Sequence, residues 1–182
     1  MKTRAKHPSS RAAWLPKPAG SGAYRHWLVD AGSLTRRLQA HCKAFSVQKV
    51  RQQRGRALRD EAQLLGMRAH ENALLREVFL CCGDRPLVFA HSVLPRSSLR
   101  GAWHGLGRLG PRPLGAALFA NPVVVRTPLS YRKLAPSHAL YRRAAELLNN
   151  KPPCLWARRS VFTLRARSIM VTEVFLPGVL EL

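Results

Sequence analysis

Two charged side chains stand where the sequence around them is apolar, and both are of types that bind anions or move protons. Arg76 interrupts LLREVFLCC (residues 74–82), and Glu173 interrupts IMVTEVFLP (residues 169–177). A guanidinium among aliphatic neighbours is costly to bury without an anion. A carboxylate in the same setting must be paired, hydrogen-bonded or protonated. Two arrangements satisfy both demands. Arg76 and Glu173 could neutralise each other as a structural ion pair. Alternatively they could stand at opposite ends of a small cavity, with Arg76 gripping a substrate carboxylate through its planar fork and Glu173 accepting from a hydroxyl. Glu77, which faces the other side of the strand with Leu75 and Phe79, is a third candidate partner.

Other chemistry-bearing residues form weaker patterns. The histidines, His7, His26, His41, His70, His91, His104 and His138, show no HxH or HExxH spacing, and no cysteine joins them, which argues against a metal site. Neither a nucleophile elbow nor a Walker loop is present, and Gly105–Gly110 (GLGRLG) has the wrong spacing for a dinucleotide fingerprint. The cysteines, Cys42, Cys81, Cys82 and Cys154, make no CxxC pair. Adjacent Cys81 and Cys82 point to opposite faces of a strand, so reduced, partly buried thiols in a cytoplasmic protein are expected. The basic stretch Trp156–Ser160 (WARRS) reads as surface charge.

The elements that must position these residues follow from period and punctuation. Residues 74–95 form a hairpin of two apolar strands joined at Gly83-Asp84, because Gly can take the positive φ of a two-residue loop. With that loop, Arg76 lies opposite His91 and Val78 opposite Phe89, which makes His91 a candidate site-lining residue that the nearby arginine keeps neutral. Residues 154–165 and 168–177 form a closing hairpin around Ala166-Arg167. Short helices are expected over 24–30 and 33–42, with Ser33 as N-cap of the second. A strand starts at Phe45, a helical turn covers 61–67, weak helix covers 97–109, a strand covers 123–134, and an amphipathic helix covers 138–148. Tight hairpins with interspersed helices place the chain in the α+β class, a single antiparallel sheet of about six strands covered by helices. Residues 1–22, rich in Pro, Ser, Gly and basic side chains, read as a flexible tail, leaving 23–182 as one domain. Prolines at 8, 16 and 18 argue against an amphipathic transit helix there.

The chain has 182 residues, enough for one core without disulfides or metals. Its 31 basic residues against nine acids give a net charge of +22, a field that attracts nucleic acid, acidic membranes or small polyanions alike. The arginines are spread along the chain, and aromatics are not interleaved with them, which argues against specific nucleic-acid binding. No apolar run reaches the length of a membrane-spanning helix.

Five motifs, LLREVFL (74–80), VFAHSVLP (88–95), LGPRPLGAALF (109–119), LWARRS (155–160) and VTEVFLP (171–177), occur in an order and at intervals that resemble the chorismate pyruvate-lyase family. The likeness covers roughly residues 24–182; residues 52–73 match poorly. It implies an antiparallel sheet with helices folding over a small buried site, and no metal or organic cofactor. It also implies roles. Arg76 binds a ring carboxylate and Glu173 a ring hydroxyl, while Leu34, in GSLTRR, and Leu114 meet the ligand partly through backbone groups in closing loops. The chain departs from the family at His91, where many members carry Arg, and at Ser130, where relatives often have an acid.

The implied reaction converts chorismate to 4-hydroxybenzoate and pyruvate, the first committed step of ubiquinone biosynthesis, in a cytoplasmic monomer. Slow product release is a further expectation. The rival is a non-catalytic small-anion or aromatic-acid binding domain, because the same fold resembles effector domains of transcription regulators.

Overall fold

A computed structural model of the chain describes residues 13–182 apart from Ala69 and Pro111, and leaves the side chains of Lys49 and Val50 undescribed. Two short helices, α1 (Arg25–Val29) and α2 (Leu34–His41), lead into strand β1 (Phe45–Arg56). The Ser33 hydroxyl caps α2 by accepting from the Arg36 N–H at 3.4 Å. Helix α3 (Arg59–Leu64) precedes the central hairpin of β2 (Asn72–Cys82) and β3 (Arg85–Pro95). Beyond it come α4 (Arg96–Leu99), α5 (Leu114–Phe119), β4 (Val125–Arg126), β5 (Ser130–Leu134) and α6 (Ala139–Ala144). The closing hairpin is β6 (Leu155–Leu164) and β7 (Arg167–Phe175), followed by a 3-10 turn over Pro177–Glu181.

All strand pairings are antiparallel, and the sheet runs β1-β2-β3-β7-β6-β4, with β5 also pairing β6. This is the expected α+β class with one strand more than expected. The single strand foreseen over 123–134 divides around Thr127-Pro128, because proline has no N–H for the ladder. Thr127 mends the gap: its N–H donates to Val161 O at 2.9 Å and its hydroxyl accepts from Val161 N at 3.0 Å. The β6–β7 turn falls one residue early, at Arg165-Ala166, whose φ angles of 48° and 60° suit a tight hairpin.

The hairpin loop is Gly83-Asp84, as its sequence requires, with Gly83 at φ 58° and Cys82 paired to Arg85. The facing residues farther from the turn differ from the expected ones. Cys81 pairs with Pro86 but Leu80 with Val88, so Leu87 bulges out of β3 beside a proline that cannot donate. Beyond the bulge every partner is displaced by one: Arg76 faces Ser92, and His91 faces Glu77.

Each face of the sheet carries its own cover. One face packs Val78, Leu80 and Phe175 against α1 and α2, and Leu94, Phe162 and Ile169 against α5 and the 102–109 segment. The other packs Phe79, Phe89 and Val174 against α6, and Leu75, Val93 and Met170 against Leu65 and Met67 beyond α3. Among the described residues no helix is long and apolar enough to cross a membrane.

Two expectations outside the sheet change. Part of the foreseen tail, residues 1–12, lies outside the described residues, but Trp14 and Leu15 are docked. Leu15 exchanges 2.8 Å backbone hydrogen bonds with Tyr131, and Trp14 donates to Asp60 at 2.9 Å beneath the Arg159 guanidinium, 4.1 Å away. The cysteines are not all free thiols either. Pairing of Phe45 with Cys82 brings the end of α2 beside the end of β2, and Cys42 and Cys82 form a disulfide with a Cα separation of 5.9 Å. Cys81 and Cys154 remain free.

Candidate active site

The two core clusters on the α1–α2–α5 face leave a cavity between them. Its floor is the sheet: Val78 and Leu80 of β2, Ala90 and Ser92 of β3, Val171 of β7 and Phe162 of β6. Apart from Ser92 these are apolar side chains, suited to the face of a ring. Arg76, Glu173, Leu34 and Leu114 all line it, so the structure brings together the four residues singled out for binding.

Arg76 reaches this cavity because the pleat places it on the face of Val78 and Leu80. It is buried, and its Nη2 donates to the carbonyl oxygens of Gly110 at 3.1 Å and Arg112 at 2.9 Å. Those bonds fix the loop leading into α5. They do not neutralise the charge, Nε is buried without a partner, and no carboxylate lies within ion-pair distance among the described residues. Burial pulls the guanidinium pKa down. A buried guanidinium placed in this way has the chemistry to bind an anion.

Glu173 does not pair with Arg76, which removes the internal ion pair left open by the sequence. It pairs with Arg158, directly opposite on β6, through Nε to Oε2 at 2.6 Å. Arg158 belongs to the stretch expected at the surface, yet it is fully buried, because β6 is covered on both faces. Its Nη1 also donates to the carbonyls of Trp27, Leu28 and Asp30 at 2.9, 3.1 and 2.6 Å, tying the end of α1 to the sheet. Glu173 is therefore a carboxylate with one oxygen held by a cation while the side chain borders the cavity.

Leu34 and Leu114 open α2 and α5, and the two helix starts meet above the cavity. A Cβ on Gly115 would lie 3.3 Å from Thr35 Oγ1 and 3.7 Å from Ser33 Oγ, so glycine permits this close approach. First-turn N–H groups have no partner within their own helix, which makes these starts suited to polar contact with a ligand beneath them.

His91 is not a site-lining residue. The bulge at Leu87 turns it to the opposite face, where it is buried among carboxylates: Nδ1 lies 3.0 Å from Glu77 Oε1 and Nε2 3.4 Å from Glu61. Burial alone would lower its pKa, but hydrogen bonds and charge from Glu61 and Glu77 outweigh that and raise it to about 9. The histidine is thus charged at neutral pH rather than neutral. Arg143 completes the cluster at 2.5 Å from Glu77. Glu77 is pushed up by burial, but the hydrogen bond and charge of His91, then Arg143, hold it below the usual carboxylate range.

Of the charged residues lining the cavity, sequence reasoning passed over one, Arg126 of β4. A two-residue strand offers no alternation from which to assign a face, and the apolar run before it, Pro122–Val125, was the only local signal.

The sequence matches the profile of the family described as chorismate lyase over residues 9–181. A probable chorismate pyruvate-lyase from Nitrosospira multiformis is 51% identical over 171 residues, covering 93% of this chain and 95% of its own length. One from Nitrosomonas europaea is 47% identical over 171 residues, covering 93% and 96%. Among solved structures, the ligand-binding domain of a Bordetella bronchiseptica protein assigned to the GntR family of transcriptional regulators matches at TM-score 0.53 and 22% identity, over 73% of this chain and 84% of that one. That likeness concerns the fold alone.

Proposed function

The chain belongs to the chorismate lyase family, and on that premise we propose that it converts chorismate to 4-hydroxybenzoate and pyruvate, feeding ubiquinone biosynthesis, as a cytoplasmic enzyme that needs no metal or organic cofactor. The observation that carries this is Arg76, a buried guanidinium lining an apolar-floored cavity with no carboxylate within ion-pair distance among the described residues. Chorismate is a dianion, so the strongly basic chain steers it and the cavity holds it.

Arg76 binds the ring carboxylate, the ring lies over Val78, Leu80 and Val171, and Glu173 accepts from the ring hydroxyl at C4. Leu34 and Leu114 close over it with their helix starts. The reaction breaks the C3–oxygen bond and moves the C4 hydrogen, as a proton or in a concerted transfer, to the methylene of the departing enolpyruvate. Aromatisation of the ring supplies the driving force. The protein holds the reactive conformer and stabilises charge on the leaving oxygen. Glu173, anchored by Arg158, orients the hydroxyl. A site matched to ring carboxylate and hydroxyl also retains the product, so 4-hydroxybenzoate leaves slowly and inhibits.

The deciding experiment incubates purified protein with chorismate, without added metal, and follows pyruvate and 4-hydroxybenzoate together. Equimolar release of both is expected. Binding without turnover would overturn the enzyme and leave a ligand-binding domain.

A further inference from the structure

We propose that Arg126 is the second anion clamp of this cavity, holding the carboxylate of the enolpyruvyl arm while Arg76 holds that of the ring. This rests on the function proposed above and assigns the half of the substrate that Arg76 and Glu173 leave uncontacted.

Four observations carry it. Arg126 and Arg76 line the same cavity from strands four steps apart in the sheet order, about 19 Å at the backbone in a flat sheet. Glu173, on β7, lies between them in that order. In chorismate the enolpyruvyl ether on C3 is the neighbour of the C4 hydroxyl, so a cation beyond Glu173 on the side away from Arg76 is placed for the carboxylate of that arm. Second, the hydrogen-bond partners of Arg126 are neutral, and the charges of Glu173 and Asp30 act on it only from beyond hydrogen-bond distance. Its Nε donates to Ser160 Oγ at 2.8 Å and its Nη1 to Ala31 O at 2.5 Å. No carboxylate is within ion-pair distance of it among the described residues. Third, Phe119 and Phe162 lie 5.3 and 5.1 Å from its guanidinium and stiffen it against their rings. Fourth, Arg126 borders both the cavity and an outer groove lined by Pro16, Val29 and Pro128, so it stands where the two meet.

The consequence is a division of labour. Arg76 contacts substrate and product alike, since both carry the ring carboxylate. Arg126 contacts only the arm that departs, and its charge lies beside the oxygen that becomes negative as the C3–oxygen bond breaks.

Chorismate and 4-hydroxybenzoate binding to Arg126→Ala and Arg126→Lys, with turnover measured in parallel, tests this. Loss of one charge-assisted contact should weaken chorismate binding roughly 10- to 100-fold, with a further fall in kcat. The dissociation constant of 4-hydroxybenzoate should stay within about threefold, and added guanidinium ion should restore part of the Arg126→Ala rate, a readout specific to the missing charge. Equal weakening of both ligands, or unchanged chorismate binding, would show a strut between Ala31 and the sheet and overturn the assignment. A wild-type chain that binds chorismate without turnover would fail the enzymatic function, while the binding ratio would still judge Arg126. A wild type that binds no chorismate would overturn both.

Discussion

Arg158 and Glu173 face each other on β6 and β7 and share a 2.6 Å hydrogen bond, while Arg76 has no carboxylate within ion-pair distance among the described residues. The cavity's carboxylate, Glu173, is held by Arg158, while among the described residues neither Arg76 nor Arg126 has a carboxylate within ion-pair distance, although the charges of Glu173 and Asp30 act on Arg126 from farther off. That imbalance favours a ligand with more negative charge than the site itself provides.

Breaking the Arg158–Glu173 pair from the arginine side should be costly. Arg158→Met removes the cation, strands a carboxylate and frees three carbonyl groups, so unfolding free energy should drop by about 3–5 kcal/mol, the range for buried pairs. Adding Glu173→Gln should recover part of that loss. Urea titration of the two single variants and the double variant checks it; a single Arg158→Met variant with a wild-type midpoint would contradict the role given to the pair.

Arg76 should show the opposite balance. Arg76→Met removes a buried charge with no carboxylate in ion-pair distance among the described residues, which offsets the two carbonyl hydrogen bonds it loses, so the melting temperature should change far less than in Arg158→Met. Chorismate turnover should fall by at least roughly 100-fold, because substrate binding and the loop before α5 both depend on it. Arg76→Lys should rescue little, since one ammonium cannot serve two carbonyls and a carboxylate in a plane. A destabilised Arg76→Met that stays active would place the residue in the fold rather than in the site.

The His91 cluster predicts alkaline sensitivity. Its folded pKa of about 9 exceeds the ordinary 6.5. A raised value means that the stabilisation is fully present below pH 6.5 and is lost as pH rises through about 9. Urea midpoints should therefore fall between pH 7 and 10, and His91→Gln should flatten that decline. His91→Arg should keep the contact with Glu77 and hold its stability into the alkaline range. A parallel decline in all three proteins would mean that another group is responsible.

Reduction should loosen the cover of the site before it unfolds the sheet. The Cys42–Cys82 bond closes a sequence separation of 40, worth about 4 kcal/mol in a chain-entropy account. It also pins the end of α2, whose first residue is Leu34 at the cavity. Dithiothreitol, or Cys42→Ser, should lower the melting temperature and raise KM for chorismate. Unchanged melting in reductant would show that the bond contributes nothing to the folded state.

The residues themselves determined the class and the polarity of this protein. Alternation along single strands marked Arg76 and Glu173 as embedded charges, glycine and hairpin spacing marked the central turn, and Ser33 marked the start of α2. Such signals are local, because the pleat of one strand decides which side chains share a face. Choice of partner is not local. It depends on which strands are neighbours and on their register, and both are set by contacts far apart in the chain. One bulged residue, Leu87, moved His91 to the opposite face, and only the β6–β7 pairing gave Glu173 to Arg158. The disulfide needed the β1–β2 register, and Arg126 needed the edge of the sheet to fold beside Ser160. The sequence thus supplied charges that required partners, and the tertiary structure decided which of them, among the described residues, have a carboxylate within ion-pair distance and which do not.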